Sequence, residues 1–224
     1  DRGLAGLRDD VQAVAVHLGR LPFVDAERLA VVGHGEGGTI AAEAARARKD
    51  LFSAVVTLNA PARGLVYTLQ SRLRDRLRSE SLPNEEIEAR VTALRTELDQ
   101  LLKLPPGEDP GEGRRLLRDL LAVSPAESYQ EVTVPVLVLF GQEDHLIPRG
   151  HRALLRSTLA LLAESTVRVQ SVRNADHEFL QVNGAVRRSP GRNSGTDVAR
   201  PRHPGLGLFI LDHLERVWRK PAPK

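Results

Sequence analysis

The sequence predicts an α/β fold, in which a parallel sheet is covered by helices. The main observation is an alternation along the chain: apolar runs of strand length follow stretches whose apolar residues recur at helical spacing, as in βαβ units. The second observation is composition, because 41% of the 224 residues are apolar and 27% are charged. These proportions indicate one soluble globular unit with a sizeable core.

The first elements form one βαβ unit. Apolar residues recur every three or four positions over residues 3–19, which predicts an amphipathic helix. A short buried strand is predicted at 28–32, and a glycine-rich turn at 33–38 leads into an alanine-rich helix at 39–48. A second strand at 54–58 completes the unit, with the helix as its crossover.

Residues 61–130 interrupt the alternation. They contain no convincing strand and several helical patterns, one of which begins near Asn84. We therefore expect a core made of residues 1–60 and 131–224, with 61–130 as a helical insertion.

The predicted core then resumes. A buried strand is expected at 134–140, a helix at 150–162 and a further strand at 165–172. A final amphipathic helix is predicted over 206–219. These elements extend the parallel sheet, which again favours the α/β class.

The residue content excludes several kinds of site. There is no cysteine, so the chain can form no disulfide, no thiolate metal site and no cysteine nucleophile. His145 and His151 lack the spacing of a metal site on a helix or hairpin. The sequence therefore predicts no metal site.

The charge and hydropathy patterns bear on partners. No apolar run approaches the roughly 18–20 residues of a membrane span, and the net charge is only +3. Basic residues alternate with acids, as on solvated helix faces, so we expect no nucleic-acid partner. A soluble protein, cytoplasmic by default, is expected; the sequence leaves secretion and the oligomeric state open.

The glycine-rich turn G-H-G-E-G-G at 33–38 has two interpretations. As G-x-G-x-x-G between a strand and a helix, it matches the turn of dinucleotide-binding proteins, where small residues let a pyrophosphate approach the backbone. That fingerprint also needs an acid about 20 residues further on, where this chain has Asn59. Glu36 would also place a carboxylate beside the phosphates. A Rossmann-type function is therefore the less favoured interpretation.

The second interpretation is G-x-nucleophile-x-G, in which the turn resembles the nucleophile elbow of α/β-hydrolases, with Gly35 where family members carry serine. After the strand 134–140, the segment G-Q-E-D-H-L-I-P is similar to the family's acid loop, with Asp144 as the acid. After 165–172, N-A-D-H-E-F resembles the histidine loop, with His177 as the base. The order nucleophile, acid, histidine is also that of the family.

The resemblance covers nearly all of the chain and is closest to bacterial esterase-like members whose elbow reads G-H-S-E-G-G. It implies a cofactor-free serine hydrolase acting on small carboxylic esters or related acyl compounds. The implied roles are the nucleophile position at Gly35, an orienting carboxylate at Asp144, a general base and then acid at His177, and an oxyanion-hole donor at the backbone N–H of Glu36.

The resemblance also gives a role to the insertion 61–130, which takes the place of the family's helical cap. A cap of this kind shapes the substrate pocket. Tyr67 and Gln70 at its start, and His34 beside the elbow residue, are therefore candidate substrate contacts.

The sequence departs from the family at the nucleophile. Glycine has no side chain, so Gly35 cannot attack a carbonyl, and an acyl-enzyme cannot form. We expect an inactive or strongly impaired hydrolase, and the alternative is a non-catalytic protein that keeps the pocket for small-molecule binding. A natural pseudoenzyme, a deliberate knock-out and a sequence error all remain open as the origin of the glycine.

A second departure concerns extent. Family members begin with about four further strands, and the loop after their third strand supplies another oxyanion donor. We expect this chain to lack those strands and that donor. The isolated chain should then expose the edge of the strand at 29–32 and associate.

The candidate residues also have structural interpretations. Asp144 can cap the turn that follows it, and His177 taken alone fits a surface histidine. Asp176 and Glu178 are expected to be solvated neighbours of His177, and His34 to pack beneath the elbow.

Overall fold

The computed structural model describes residues 3–105, 108, 110–111, 113–147, 150–159, 167–182 and 201–219. Within them, four strands form one parallel sheet in the order β1-β2-β3-β4. The strands are β1 (Ala30–His34), β2 (Ala54–Leu58), β3 (Val136–Gly141) and β4 (Val167–Val172). The predicted α/β class is confirmed.

Eight α-helices accompany the sheet in the described part of the chain. They are α1 (Leu4–Leu18), α2 (Glu36–Ala47), α3 (Leu65–Ser79), α4 (Asn84–Leu102), α5 (Arg114–Ala122), α6 (Pro125–Glu131), α7 (Gly150–Leu159) and α8 (Gly205–Trp218). Among the described residues, none of these helices has the length and apolar character needed to cross a membrane.

The largest difference from the sequence prediction lies at the elbow. β1 extends to His34, and α2 begins at Glu36, three residues before the predicted start at Thr39. Helix propensity disfavours Gly37 and Gly38 in a helix. The glycines are nevertheless helical, because α2 packs too closely on the sheet to leave room for a side chain at Gly38.

The two faces of the sheet are buried under different helices. Val55, Val136 and Val138 pack into a cluster with alanines of α2 and with Tyr129 of α6. Their neighbours on the opposite face, among them Val56, pack toward apolar residues of α8. Central parallel strands are buried on both faces in this way, which explains their nearly continuous apolar sequence.

β1 lies at an edge of the sheet and pairs with β2 alone among the described strands. An open apolar groove of about 330 Å³ lies between β1 and α1. Its lining includes Val32, which is 50% exposed, and Val14, which is 58% exposed. This side of the molecule therefore presents both unpaired strand backbone and apolar side chains.

The described residues between β2 and β3 contain helices α3–α6 and no strand. These helices have an apolar cluster of their own, built mainly from leucines of α3, α4 and α5. Polar contacts attach α6 to α2: the buried Glu43 accepts hydrogen bonds from Ser128 Oγ at 2.6 Å and from Arg46 Nη2 at 2.7 Å. Burial alone would raise the pKa of Glu43, but these bonds outweigh it and the pKa lies below its usual value.

The strand register brings loops from three strands to one edge. His34 pairs with Leu58, and Leu58 pairs with Leu139 near the end of β3. In a parallel sheet the residues that follow each strand lie at the same edge, which is where α/β proteins bind ligands. The candidate site is built there.

Candidate active site

The elbow is a one-residue turn between β1 and α2. Gly35 has φ 56° and ψ −128°, a conformation that residues with a side chain rarely adopt. Its N–H donates to the carbonyl of Leu58 at 2.9 Å, and its own carbonyl accepts from the N–H of Gly38 at 3.0 Å. Position 35 therefore lies above the end of the sheet, fixed by the backbone on both sides.

Gly33 and Gly38 allow this turn to pack closely. A Cβ on Gly33 would collide with the backbone of Gly37 and Gly38, and one on Gly38 would collide with the Cβ of Ala60. By contrast, a Cβ at Gly37 would have no atom of the described residues within 4 Å, apart from its chain neighbours and the backbone of its own helix. Strand–helix packing thus accounts for Gly33 and Gly38 without a bound nucleotide.

Asp144 and His177 are in contact. Nδ1 of His177 lies 3.0 Å from Oδ2 of Asp144, whose side chain is only 1% exposed. The other oxygen, Oδ1, accepts from the N–H groups of Leu146 at 2.7 Å and Ile147 at 3.0 Å. Asp144 therefore caps its own turn and orients the imidazole, so its two sequence interpretations are compatible.

His177 faces the elbow. Because a carboxylate only accepts hydrogen bonds, the contact with Asp144 places the proton on Nδ1 and leaves a lone pair on Nε2. Nε2 lies 3.8 Å from the position that a Cβ on Gly35 would occupy, and no other atom of the described residues, apart from the adjoining ones, comes within 4 Å of that position. The basic nitrogen of His177 thus points into the space that a side chain at residue 35 would fill.

Asn59, directly after β2, connects the acid and histidine loops. Its Oδ1 accepts from the N–H of Gly141 at 2.7 Å. Its Nδ2 donates to the carbonyls of His177 at 2.7 Å and Asp176 at 3.1 Å. The side chain is fully buried, and a φ of 47° suits asparagine better than most residues.

His34 also holds the histidine loop. Its Nε2 lies 2.8 Å from the carbonyl of His177, and the two imidazole rings are 4.7 Å apart. The expectation that His34 packs beneath the elbow therefore needs correction, because its polar contact is with the His177 loop. One ligand-type atom each of His34, His177 and Glu178 lies within 4.8 Å of the other two.

Asp176 shapes the turn that carries His177. Its Oδ1 accepts from the N–H groups of Glu178 at 3.1 Å and Leu180 at 2.9 Å. The expectation that Asp176 is only a solvated neighbour was therefore wrong, because its side chain organises this loop. Glu178 is exposed, as expected.

Glu36, the proposed oxyanion donor, is the first residue of α2. The first N–H groups of a helix have no acceptor within the helix, so that of Glu36 can serve a ligand. Its carboxylate lies 3.8 Å from the guanidinium of Arg72 in α3, and Arg72 Nε donates to the carbonyl of Leu146 at 2.8 Å. Arg72 thus links the insertion, the elbow and the acid loop.

The two remaining sequence candidates lie on α3. The ring of Tyr67 lies 5.4 Å from that of His151 and 4.4 Å from the Arg63 guanidinium carbon. Gln70 is half-buried, and its amide makes no hydrogen bond to another described residue. Neither of these two ring contacts of Tyr67 is with Gly35, Asp144 or His177.

His151 joins α7 to the start of the insertion. It is fully buried, and its Nδ1 accepts from the N–H groups of Ala62 at 2.9 Å and Arg63 at 3.3 Å. Burial, reinforced by the positive charges of Arg63 and Arg72, lowers the pKa of His151 to about 4. The imidazole is therefore neutral near pH 7.

The space between the elbow helix and the insertion is small. A cavity of about 10 Å³ lies there, lined by Glu36, Thr39, Pro61, Leu65, Leu120 and Pro125. It has room for about one water molecule. None of its lining residues is Gly35, Asp144 or His177.

Comparison with known proteins identifies the family. The alpha/beta hydrolase family matches residues 1–187, whereas no curated protein matches the sequence. Similar solved structures include Est1E from Butyrivibrio proteoclasticus, with 17% identity, a TM-score of 0.48, and coverage of 79% of this chain and 63% of Est1E.

Two further solved structures resemble the chain. One is from LipS and LipT, metagenome-derived lipolytic enzymes, with 16% identity and a TM-score of 0.48. The match covers 79% of this chain and 66% of the other. The other is a Pyrococcus horikoshii acylaminoacyl peptidase, with 20% identity and a TM-score of 0.46. The match covers 77% of this chain and 23% of the peptidase. The chain thus spans less than two thirds of each of the three structures. With the family match over residues 1–187, the chain belongs to the alpha/beta hydrolase family.

Proposed function

We propose that the protein has the binding site and the acid–histidine pair of a serine-type carboxylic ester hydrolase, with the nucleophile replaced by Gly35. The observation that carries the proposal is the direction of His177. Its Nδ1 is held by Asp144 at 3.0 Å, and its Nε2 points at position 35 from 3.8 Å. This is where a general base would deprotonate a serine hydroxyl.

With serine at position 35, the remaining groups would have defined roles. The Oγ would attack the acyl carbon, Nε2 of His177 would take the hydroxyl proton and later give it to the leaving alcohol, and Asp144 would stabilise the imidazolium. The N–H of Glu36, at the positive end of α2, would donate to the oxyanion. No cofactor takes part in these steps.

With glycine at position 35, no acyl-enzyme forms. His177 can only activate a water molecule, and the rate would be limited to the residual advantage of about 10³–10⁴-fold over water that binding and the oxyanion hole supply. The protein as given is therefore a slow hydrolase or a binder of small esters and acyl compounds.

We also propose that helices α3–α6 act as the cap of this site. Arg72 supports this role, because it contacts both Glu36 beside the elbow and the carbonyl of Leu146 in the acid loop. The cavity of about 10 Å³ between these helices and α2 holds about one water molecule, so a substrate bound there would require their displacement.

The test is hydrolysis of a chromogenic short-chain ester by the chain as given and by Gly35→Ser, in buffer containing a metal chelator. We expect a burst of alcohol release and sustained turnover from Gly35→Ser only. Gly35→Ala, which adds the Cβ without the hydroxyl, is the matched control, and His177→Ala in the Gly35→Ser background should abolish the gain. A folded Gly35→Ser protein without activity would favour the non-catalytic alternative, a binding protein that no longer has the chemistry.

A further inference from the structure

Three side chains of metal-ligating type converge above the elbow. His34 ends β1, while His177 and Glu178 are adjacent in the loop after β4. One ligand atom of each lies within 4.8 Å of the other two. From this group we propose that His34, His177 and Glu178 bind a divalent transition-metal ion of the Zn²⁺ class over Gly35.

The hydrogen bonds of both histidines prepare them as ligands. A carbonyl oxygen only accepts, so the 2.8 Å contact of His34 Nε2 with the carbonyl of His177 leaves a lone pair on Nδ1 of His34. In the same way, the contact of His177 Nδ1 with Asp144 leaves a lone pair on Nε2. Metal-bound histidines nearly always donate their second ring N–H to a carboxylate or a backbone carbonyl, and both patterns occur here.

The absence of a side chain at Gly35 leaves space for the metal ion. Within the described part of the chain and apart from the adjoining residues, a Cβ at Gly35 would have only Nε2 of His177 within 4 Å, so this position leaves room for an ion beside that nitrogen. A serine Oγ in that position would instead hydrogen-bond to Nε2 and compete with the metal. Metal binding is therefore a property of this chain's glycine elbow.

The charges around the site permit a dication. Glu178 contributes one carboxylate directly, and Asp144 places a second behind His177. The N-terminus of α2 opposes a cation, and these two carboxylates offset that effect. Glu178 is exposed, so its side chain can rotate to bring its oxygen to the usual distance of about 2.0–2.2 Å from the metal.

Two imidazoles and one carboxylate, with a free fourth position, form the ligand set of open zinc sites. The inference goes beyond the proposed ester chemistry, because it concerns equilibrium metal binding by the chain as given. It uses His177 as a ligand and needs no turnover.

The test is calorimetric titration of Zn²⁺ into the chelator-treated, dialysed chain, with Co²⁺ absorption as a report on tetrahedral coordination. We expect one saturable ion per chain. His34→Ala and Glu178→Gln should each weaken binding by at least tenfold, and Asp144→Asn, which removes the partner of Nδ1, by about 10–100-fold. His17→Ala on α1 and Glu215→Gln on α8, both exposed, are the matched controls and should bind as the parent does.

The Gly35→Ser variant separates this inference from the proposed function. In that variant we expect weaker Zn²⁺ binding, and inhibition of any ester hydrolysis by added Zn²⁺. The inference is overturned if Zn²⁺ shows no saturable binding, or if Glu178→Gln and His34→Ala bind it as tightly as the controls. Glu178 is exposed, so its variant remains informative even if His34→Ala does not fold. Ester hydrolysis in chelator reports on the proposed function alone.

Discussion

The amide of Asn59 donates to the carbonyl of His177 at 2.7 Å, although 118 residues separate the two in the chain. The same side chain accepts from Gly141 at the end of β3. A single buried amide at the end of β2 thus fixes the histidine loop relative to the strand that leads to Asp144. The contact between Asp144 and His177 depends on this connection as much as on their own side chains.

Asn59→Asp should destabilise the histidine loop. Aspartate keeps the shape and the tolerance for positive φ, but it loses the two N–H donors, which leaves the partly buried carbonyls of Asp176 and His177 facing a carboxyl group. We expect a loss of about 1–3 kcal/mol in the free energy of unfolding, together with faster amide hydrogen exchange at 175–180. Asn84→Asp, at the exposed start of α4, should leave both quantities unchanged. Equal exchange rates in the two variants would refute the role of Asn59.

Gly38→Ala should disturb the junction of the elbow helix and the sheet. Its Cβ would collide with that of Ala60 and lie 3.3 Å from the Cβ of Thr57. Overpacking of this kind costs about 1–3 kcal/mol. Gly37→Ala, one residue earlier in the same helix, meets no described residue outside its own helix within 4 Å and should leave the stability unchanged or raise it by up to about 1 kcal/mol. Denaturant unfolding of both variants measures the difference, and equal midpoints would contradict the close packing.

Low pH should weaken the attachment that His151 makes to the start of the insertion. The pKa of this buried histidine is lowered to about 4 in the folded chain, against about 6.5 in the unfolded chain. The unfolded state therefore binds more protons between these values, and stability falls as the pH drops from about 6.5 to about 4, by about 3 kcal/mol.

The contribution of His151 can be isolated by substitution. Thermal melts over this pH range should show a smaller decline for His151→Asn, which cannot titrate there, than for the parent. His17→Asn on α1 should decline as the parent does, because His17 is exposed. Burial also lowers the pKa of His213, so part of the decline remains in every variant. If the melting temperature of His151→Asn fell with pH as steeply as that of the parent, protonation of His151 would not destabilise the folded protein.

The edge of β1 should cause the isolated chain to associate. The edge exposes backbone groups beside an apolar groove that contains Val32. We expect the sedimentation coefficient to rise with concentration, and Val32→Lys to reduce the rise, because a charged side chain opposes edge pairing. Leu102→Lys, at a partly exposed position of α4, should have no such effect. A chain that stays monomeric and melts cooperatively at all concentrations would rule the association out.

The sequence sufficed for the α/β class because buried strands such as 54–58 and 136–140 are apolar runs interrupted only by Thr57, and the structure places them at the centre of the sheet. It also sufficed for the contact between Asp144 and His177, since each lies in a loop that a family motif identifies. These signals are local in the sequence, so they can be recognised without knowledge of how the chain packs.

Other features had no local signal. The early start of α2 depends on how closely Gly38 approaches Ala60, and helix propensity points the other way. The hydrogen bond from His34 to the His177 carbonyl joins residues 143 positions apart. In the sequence, Asn59 stands where a nucleotide-binding fold would need an acid, which indicates no role for it in the site. Its position directly after a central strand was the one available indication that it serves the site.

The open volume around residue 35 has an evolutionary consequence. Among the described atoms outside the adjoining residues, a side chain at that position would meet only the imidazole opposite, so exchange between glycine and serine meets no steric barrier there, although a φ of 56° strains any residue with a side chain. On the proposed function, a lineage with this elbow could lose or regain covalent chemistry by one codon change, and the serine form would carry a backbone strain that glycine avoids.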